Sequence, residues 1–232
     1  MYLCINKVIK TMETKKKYEL NSETIEIDGT ILHQIKALKD FSDVKAGDLG
    51  GWIEKEDNLS QSGDAWIGGD AKVYGNAVVC DNAKVFGKAK VHDNAFVCDN
   101  AWVYDNAQVY GRAKVFGNAV VFVNAEVYDH ADVYCHAMAF GNAEICGNAG
   151  VCGYAEICGD AVVKNNEDYI VFKNFWSSGR HFTWTRSNNM LKVGCFYGTG
   201  KELIGKAYKD SEKSGKEYER VVRYVNSILA DE

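Results

Sequence analysis

The sequence of 232 residues contains no proline, although average usage of about 5% would give roughly a dozen. Proline-rich linkers and collagen-like segments are therefore excluded. Because proline has no backbone N–H to donate to a strand ladder, its absence beside 22 glycines indicates that nearly all backbone donors are needed. We expect an extended ladder of strands.

The sequence also lacks long apolar runs and an excess of basic residues. No apolar stretch approaches the roughly 20 residues that cross a bilayer, and residues 1–20 make a poor secretion signal because they have no apolar core before a cleavage site. With 27 basic and 32 acidic residues the net charge is −5, which is unlike a protein that coats nucleic acid. We expect a cytoplasmic protein with neither a membrane nor a nucleic acid as partner.

The sequence does contain a six-residue repeat. Alanine occupies every sixth position from Ala65 to Ala161, seventeen times in all, and a larger aliphatic residue follows two positions later except at Ala139. Alanine and valine then point to one side of a short strand and the intervening residues to the other. The Gly-Asn or Asp-Asn pair that follows turns the chain, because these residues tolerate left-handed backbone angles. Three such strands make a triangular coil of eighteen residues.

This pattern resembles the left-handed parallel β-helix of hexapeptide-repeat proteins, in which an aliphatic residue is followed four positions later by a small one. The left-handed coil is implied by the resemblance alone. The general rule for crossovers between parallel strands would favour a right-handed coil. The predicted fold is mainly β: a triangular prism of about five to six coils with a β-rich N-terminal cap and a small α+β C-terminal domain. The predicted boundaries are a flexible extension over residues 1–16, the cap over 17–60, the β-helix over 61–164 and the C-terminal domain over 165–232.

The segments outside the repeat carry recognisable signals. Asp28 and Gly29 separate two alternating runs, which is typical of a β-hairpin, and Ile53 and Leu59 lie six and twelve residues before Ala65, which predicts an imperfect capping coil. Residues 165–232 read as β-β-β-α-α, with a capping box at Thr199 and a last helix from about Ser214. Cys195 is interpreted as a buried residue that ends a core strand rather than as a nucleophile.

The layout resembles phage- and prophage-encoded hexapeptide-repeat proteins. That group combines KYEL, GDLGGWIE and NLS with an Asn-Ala-x-Val array, and here the three motifs are Lys17–Leu20, Gly47–Glu54 and Asn58–Ser60. The resemblance implies a phage setting but no settled activity.

Residues eighteen apart lie above one another, so the outward positions form columns on three faces. Face one, whose outward columns start at Trp66 and Gly68, is strongly apolar, and an apolar patch of this size marks an interface. Either another copy of the chain or the terminal segments cover it; trimers are common among hexapeptide-repeat proteins, and we expect a trimer. The candidate interface residues are Trp66, Phe86, Trp102, Tyr104, Val120, Phe122, Met138 and Phe140.

Two further surfaces carry candidate ligand-binding residues. Face two, which begins at Lys72, presents an aromatic ladder of Tyr74, His92, Tyr110 and Tyr128 beside Lys72 and Lys90. Such a surface either stacks and neutralises a nucleotide or only stabilises in-register strands. At the corners, Arg112, His130 and His136 are candidates for holding an anion, or are merely tolerated turn residues.

The cysteines are expected to be reduced. Cys146, Cys152 and Cys158 fall on successive faces and point apart, and Cys80 above Cys98 has poor disulfide geometry because in-register parallel strands hold both residues. No cysteine or histidine spacing typical of zinc appears, so neither a metal nor a cofactor is expected.

Two function classes remain open. Hexapeptide-repeat acyltransferases use acyl-CoA and a histidine base, usually beside a loop that interrupts the repeat, whereas these seventeen hexads have no insertion. The repeat histidines, His92, His130 and His136, have no carboxylate partner fixed by spacing. We therefore favour a non-catalytic, homotrimeric, phage-type binding protein. The most specific version of this hypothesis is a counter-defence protein that sequesters a host nucleotide signal or a host protein. The alternative is the acyltransferase.

Overall fold

The structure is a computed structural model that describes residues 16–230. The predicted flexible extension over residues 1–16 lies outside the described residues apart from Lys16. The ammonium of Lys16 is 2.6 Å from the Glu56 carboxylate.

The repeat forms seventeen parallel strands of two residues each, numbered β4 to β20 along the chain. Face one contains β4 (Trp66–Ile67), β7 (Lys84–Val85), β10 (Trp102–Val103), β13 (Val120–Val121), β16 (Met138–Ala139) and β19 (Glu156–Ile157). Face two contains β5 (Lys72–Val73), β8 (Lys90–Val91), β11 (Gln108–Val109), β14 (Glu126–Val127), β17 (Glu144–Ile145) and β20 (Val162–Val163). Face three contains β6 (Val78–Val79), β9 (Phe96–Val97), β12 (Lys114–Val115), β15 (Asp132–Val133) and β18 (Gly150–Val151).

The coils stack in register around a closed apolar core. Trp102 lies opposite Lys84 in the coil above and Val120 in the coil below. The repeat alanines and the aliphatic residues two positions later are at most 1% exposed. Turn residues such as Asp81 (φ 56°) and Gly75 (φ 69°) adopt the left-handed angles expected of them. The mainly β solenoid is thereby confirmed.

The N-terminal strands extend face two upward. Strands β1 (Tyr18–Ile27) and β2 (Thr30–Ala37) form an antiparallel hairpin, and β3 (Leu49–Ile53) joins β2 to β5. Asp28 and Gly29 turn the hairpin with φ of 49° and 81°, which confirms the predicted hairpin. Ile53 pairs with Val73 and Leu59 bridges to Val79. The imperfect capping coil is therefore present.

Part of the upper end of the solenoid presents carbonyl groups, because the N–H groups on either side of each inward aliphatic residue donate to the coil below, as Trp66 N does to Ala83 O and Gly68 N to Val85 O. Hydrogen-bond donors from the N-terminal segment cover that part of the end. The buried Lys17 ammonium donates to the carbonyl oxygens of Ala65 at 2.9 Å, Gly63 at 3.4 Å and Ser62 at 3.5 Å. Burial, opposed by the nearby Asp64 carboxylate, lowers the pKa of Lys17 to about 8.

The C-terminal unit contains one strand more than predicted. Its antiparallel sheet consists of β21 (Tyr169–Lys173), β22 (His181–Thr185), β23 (Met190–Val193) and β24 (Phe196–Thr199), followed by α1 (Gly200–Asp210) and α2 (Glu212–Ala230). The predicted third strand is split because Gly194, with φ of 56°, turns the chain. Cys195 lies in that turn and is exposed, so the prediction of a buried cysteine was wrong. The capping box of Thr199 and Glu202 is present.

Oxygen atoms of this unit satisfy the lower end of the solenoid, where N–H groups remain. Gly150 N donates to Asn166 Oδ1 at 2.7 Å, Glu156 N to Thr183 Oγ1 at 2.9 Å, and Val162 N to Ser187 Oγ at 2.8 Å. Neither α1 nor α2, nor any other helical segment of residues 16–230, is long and apolar enough to cross a membrane.

Replacement of Lys17 tests the upper cap. In Lys17→Met three carbonyl groups lose their donor, and an unpaired buried polar group costs on the order of 1–3 kcal/mol. We expect the free energy of unfolding in urea to fall by about that amount. Lys16→Met is the matched control, because it removes only an exposed ion pair worth about 0–1 kcal/mol. Equal losses in both variants would contradict this account of the cap.

Candidate functional site

The aromatic ladder on face two is a continuous stack of rings. Ring centroids are 5.0 Å apart between Tyr74 and His92, 5.1 Å between His92 and Tyr110, and 5.0 Å between Tyr110 and Tyr128, with interplanar angles of 10° or less. This spacing is close to the distance between neighbouring strands, so each inner ring has both faces covered and no base fits between two rings. The geometry favours stabilisation of the strands over intercalation of a nucleobase.

The lower part of face two is also satisfied internally. The hydroxyl of Tyr110 donates to Glu126 at 2.9 Å and that of Tyr128 donates to Glu144 at 2.9 Å. Burial, followed by the hydrogen bond to Glu126, raises the pKa of Tyr110, which keeps its hydroxyl protonated as a donor. The two stacked glutamates therefore have partners within the chain.

The upper part of face two carries unpaired positive charge. Lys72 and Lys90 lie directly opposite each other in neighbouring strands. Lys88, on the edge between faces one and two, joins them around a groove of about 420 Å³ that is also lined by Asp70, Asn106 and Gln108. We call it the lysine groove. Sequence reasoning missed Lys88; the signal was a lysine at a turn position where most repeats have asparagine.

Among residues 16–230, no carboxylate lies within 4.0 Å of the ammonium groups of the three groove lysines. The Lys72 ammonium donates to the backbone oxygen of Asp70, at 2.7 Å. Like charges directly opposite each other on paired strands destabilise the pair. An anion bound in the lysine groove would relieve that repulsion.

His92 has a carboxylate partner, contrary to the expectation from spacing. Its Nδ1 is 3.2 Å from Asp93 Oδ1, and Asp93 Oδ2 accepts a hydrogen bond from Gly111 N at 3.1 Å. Although partial burial opposes the change, these two contacts lower the pKa of Asp93. The pair has the composition of a histidine base with an orienting carboxylate.

The corner candidates lie on two different edges. Arg112 and His130 line a groove of about 720 Å³ between faces two and three, together with Asp93 and Asp129. The two carboxylates offset the basic groups, which makes this groove less suited to an anion than the lysine groove. The structure does not bring His136 to this site.

His136 instead begins a stack of three rings on the edge between faces three and one. Its ring lies 5.1 Å from Tyr154, and Tyr154 lies 4.7 Å from His181 in the C-terminal sheet. Sequence reasoning missed Tyr154 and His181. Tyr154 shares the turn position eighteen residues after His136, whereas nothing in the repeat indicates His181.

Face one is covered at its ends and open in the middle. Phe41 packs against Trp66 with 5.4 Å between ring centroids, and Lys192 pairs with Glu156 at 3.4 Å. Between these ends, Trp102 is 47% exposed. The remaining predicted interface residues are stacked aromatic rings and half-buried aliphatic side chains: Phe86, Tyr104, Val120, Phe122, Met138 and Phe140.

A group of cysteines and one acid occupies the edge between faces three and one. One ligand atom each of Cys80, Asp81 and Cys98 lies within 4.8 Å of the others. Burial, the largest cause, raises the pKa of Cys80 to about 11 and that of Cys98 to about 12. The thiols are therefore poor nucleophiles at neutral pH. All seven described cysteines are free.

Comparison with known proteins supports the solenoid. A family model described as the YdcK beta solenoid repeat matches residues 95–111 and 107–122. A curated relative, described as the uncharacterized acetyltransferase YdcK of Escherichia coli (strain K12), is 45% identical over 60 residues. That alignment covers 22% of this chain and 18% of the relative. The chain thus spans less than a fifth of the curated relative that it matches, and the likeness supports a β-helix of the hexapeptide-repeat type.

Proposed function

We propose that the protein is a non-catalytic binding protein whose solenoid presents the lysine groove to an anionic ligand of the nucleotide class. The observation that carries the proposal is the group of three lysines without a carboxylate partner among residues 16–230, two of which lie in register on adjacent strands. Phosphate groups offer the charge that neutralises several ammonium groups at close range.

The solenoid supports binding because it holds these lysines in place. The strands that carry Lys72 and Lys90 are joined by hydrogen bonds from Lys72 N to Ala89 O at 2.9 Å and from Tyr74 N to Val91 O at 3.1 Å. Behind each lysine the neighbouring valine is fully buried. A preformed site loses little conformational freedom when the ligand binds, which favours affinity.

The biological setting that we propose is a phage or prophage, and the resemblance to phage- and prophage-encoded hexapeptide-repeat proteins supports it. In that setting the proposed role is counter-defence, in which the protein sequesters a host nucleotide signal without changing it. Since the aromatic ladder leaves no gap between rings, the base of such a ligand would contact ring edges while its phosphates occupy the lysine groove.

Lysine substitutions test the groove. In calorimetric titrations with nucleoside monophosphates, diphosphates and cyclic nucleotides, we expect Lys88→Ala and Lys90→Ala each to weaken binding by about tenfold, as expected for loss of a hydrogen bond to a charged group. Lys114→Ala is the matched control, because Lys114 has the same place in its repeat on face three, opposite Asp132. Absence of binding by every nucleotide, or an equal loss in Lys114→Ala, would contradict the proposal.

A second candidate function is acyl transfer from acyl-CoA. Two observations favour it: His92 is paired with Asp93 at 3.2 Å, and the curated relative is described as an acetyltransferase. His92 follows Lys90 by two residues and points to the same side of the strand. A histidine base would thus stand beside a groove suited to the phosphates of the coenzyme.

Turnover separates the two functions. With acetyl-CoA and amine or hydroxyl acceptors, the binding proposal predicts no release of free coenzyme thiol and recovery of bound nucleotide intact after heat denaturation. Acyl transfer predicts turnover that falls on the order of 10²-fold or more in His92→Ala. His136→Ala is the control, because His136 stacks on a different edge. Turnover with this pattern would overturn the binding-only function.

We also propose that the protein is a homotrimer that associates through the open middle of face one. The terminal segments cover only the ends of this face, and Trp102 remains 47% exposed between them. A second copy is the occupant that the resemblance to trimeric hexapeptide-repeat proteins implies.

The mass in solution tests the trimer. Light scattering is expected to give the mass of three chains of 25.8 kDa, and Trp102→Glu is expected to shift it toward one chain, because a charge in an apolar contact is costly to bury. Phe96→Glu on face three, where Phe96 is 37% exposed, is the matched control. A wild-type protein that is monomeric at every concentration would refute the trimer.

A further inference from the structure

We infer that Cys80, Asp81 and Cys98 form a binding site for a thiophilic divalent cation of the zinc class. The site lies on face three, beside the edge that this face shares with face one, in the first two coils of the solenoid. It joins neighbouring coils, because Cys80 and Asp81 belong to one coil and Cys98 to the next.

The distances suit coordination. One sulfur from each cysteine and one carboxylate oxygen lie within 4.8 Å of one another, and Cys80 Sγ is 3.6 Å from Asp81 Oδ2. In a tetrahedral zinc site, bonds of about 2.3 Å to sulfur and about 2.0–2.2 Å to oxygen place neighbouring ligand atoms roughly 3.5 Å apart. Small side-chain rotations therefore bring the three atoms to a common ion.

The backbone holds the ligands in this arrangement. Cys80 N donates to Val97 O at 3.0 Å and Cys98 N donates to Val115 O at 3.0 Å, so the ladder sets the separation of the two thiols. Asp81 Oδ2 accepts a hydrogen bond from Asp99 N at 3.4 Å, which orients its carboxylate toward the lower coil. In metal sites, a residue that coordinates the ion is typically held in place by a hydrogen bond from a neighbouring group.

The ligand chemistry selects the class of ion. The two thiols release their protons when the ion binds. The resulting thiolates favour zinc and related soft ions, whereas calcium and magnesium favour sites made of oxygen ligands. Three protein ligands leave a fourth position for water or another small ligand. Access is open, because both cysteines are half-buried and Asp81 is exposed.

This cluster differs from the other cysteines of the chain. Within residues 16–230, Cys80, Asp81 and Cys98 are the one group of three such side chains close enough to share an ion. Cys146 and Cys158 are buried, and Cys135 and Cys195 are exposed. The last two are therefore suitable control positions.

Titration with cadmium tests the site. The protein is purified with a phosphine reductant, which keeps the thiols reduced, and is stripped of metal before Cd²⁺ is added. We expect one Cd²⁺ per chain, measured by thiolate-to-cadmium charge-transfer absorption and displaced by a large excess of Zn²⁺. Cys80→Ser and Cys98→Ser should each abolish the charge-transfer band that appears when one Cd²⁺ per chain is added. Asp81→Asn should weaken binding on the order of 10–100-fold, the range seen when metal-site contacts are lost.

The matched control is Asp99→Asn. Asp99 follows Cys98 as Asp81 follows Cys80 and has the same φ of 56°, but its Oδ2 accepts from Gly117 N in the coil below at 2.9 Å. Its replacement should leave Cd²⁺ affinity within about twofold, as should Cys135→Ser and Cys195→Ser. Zn²⁺ should raise the melting temperature of the wild type and not that of Cys80→Ser.

Three results would overturn the inference. The first is the absence of saturable Cd²⁺ binding by the reduced wild type. The second is a band that survives in both Cys80→Ser and Cys98→Ser. The third is a band lost equally in Asp81→Asn and Asp99→Asn, which would show a dependence on charge rather than on these ligands. Circular dichroism confirms that each variant is folded, and Asn suits the left-handed turn at position 81.

Discussion

The in-register parallel ladder is the constraint on which the rest of the structure depends. At its outward strand positions the N–H groups donate toward the C-terminal end, as Trp66 N does to Ala83 O, so those positions leave carbonyl acceptors at the N-terminal end and N–H donors at the C-terminal end. Donors cover the upper end, namely the Lys17 ammonium and the Asn58 amide. Oxygen atoms such as Asn166 Oδ1 and Thr183 Oγ1 cover the lower end. Proline has no N–H to contribute to such a ladder.

The same register places each outward side chain above its equivalent eighteen residues later. Aromatic rings and asparagines gain from this arrangement, since rings stack and the amide of Asn82 donates to that of Asn100 at 3.1 Å. Charges of one sign do not gain, because repetition places them opposite each other. Hydrogen bonds from tyrosine hydroxyls offset the repulsion between the Glu126 and Glu144 carboxylates. No carboxylate among residues 16–230 pairs with Lys72 and Lys90, which is why that part of face two is suited to an external anion.

The sequence period predicts contacts along a column and no others. The stack of His92 on Tyr110 and the position of Cys80 above Cys98 follow from a separation of eighteen residues. By contrast, the packing of Phe41 on Trp66 joins the repeat to a segment without that period. The contact between His92 and Asp93 was also missed, although the residues are adjacent, because it depends on the left-handed turn at Asp93 rather than on strand spacing.

Sites with mixed chemistry arise in this fold where a face meets an edge. Side chains on different faces point apart, and side chains in one column tend to repeat one chemical type, so neither arrangement brings unlike groups together. A turn residue can lie next to an unlike side chain, because it projects from the corner toward the column beside it. Asp93 beside His92 and Asp81 beside Cys98 are of this kind, and Lys88 projects in the same way toward Lys90. In a solenoid without loop insertions, the turn positions are therefore where side chains of different chemical type meet.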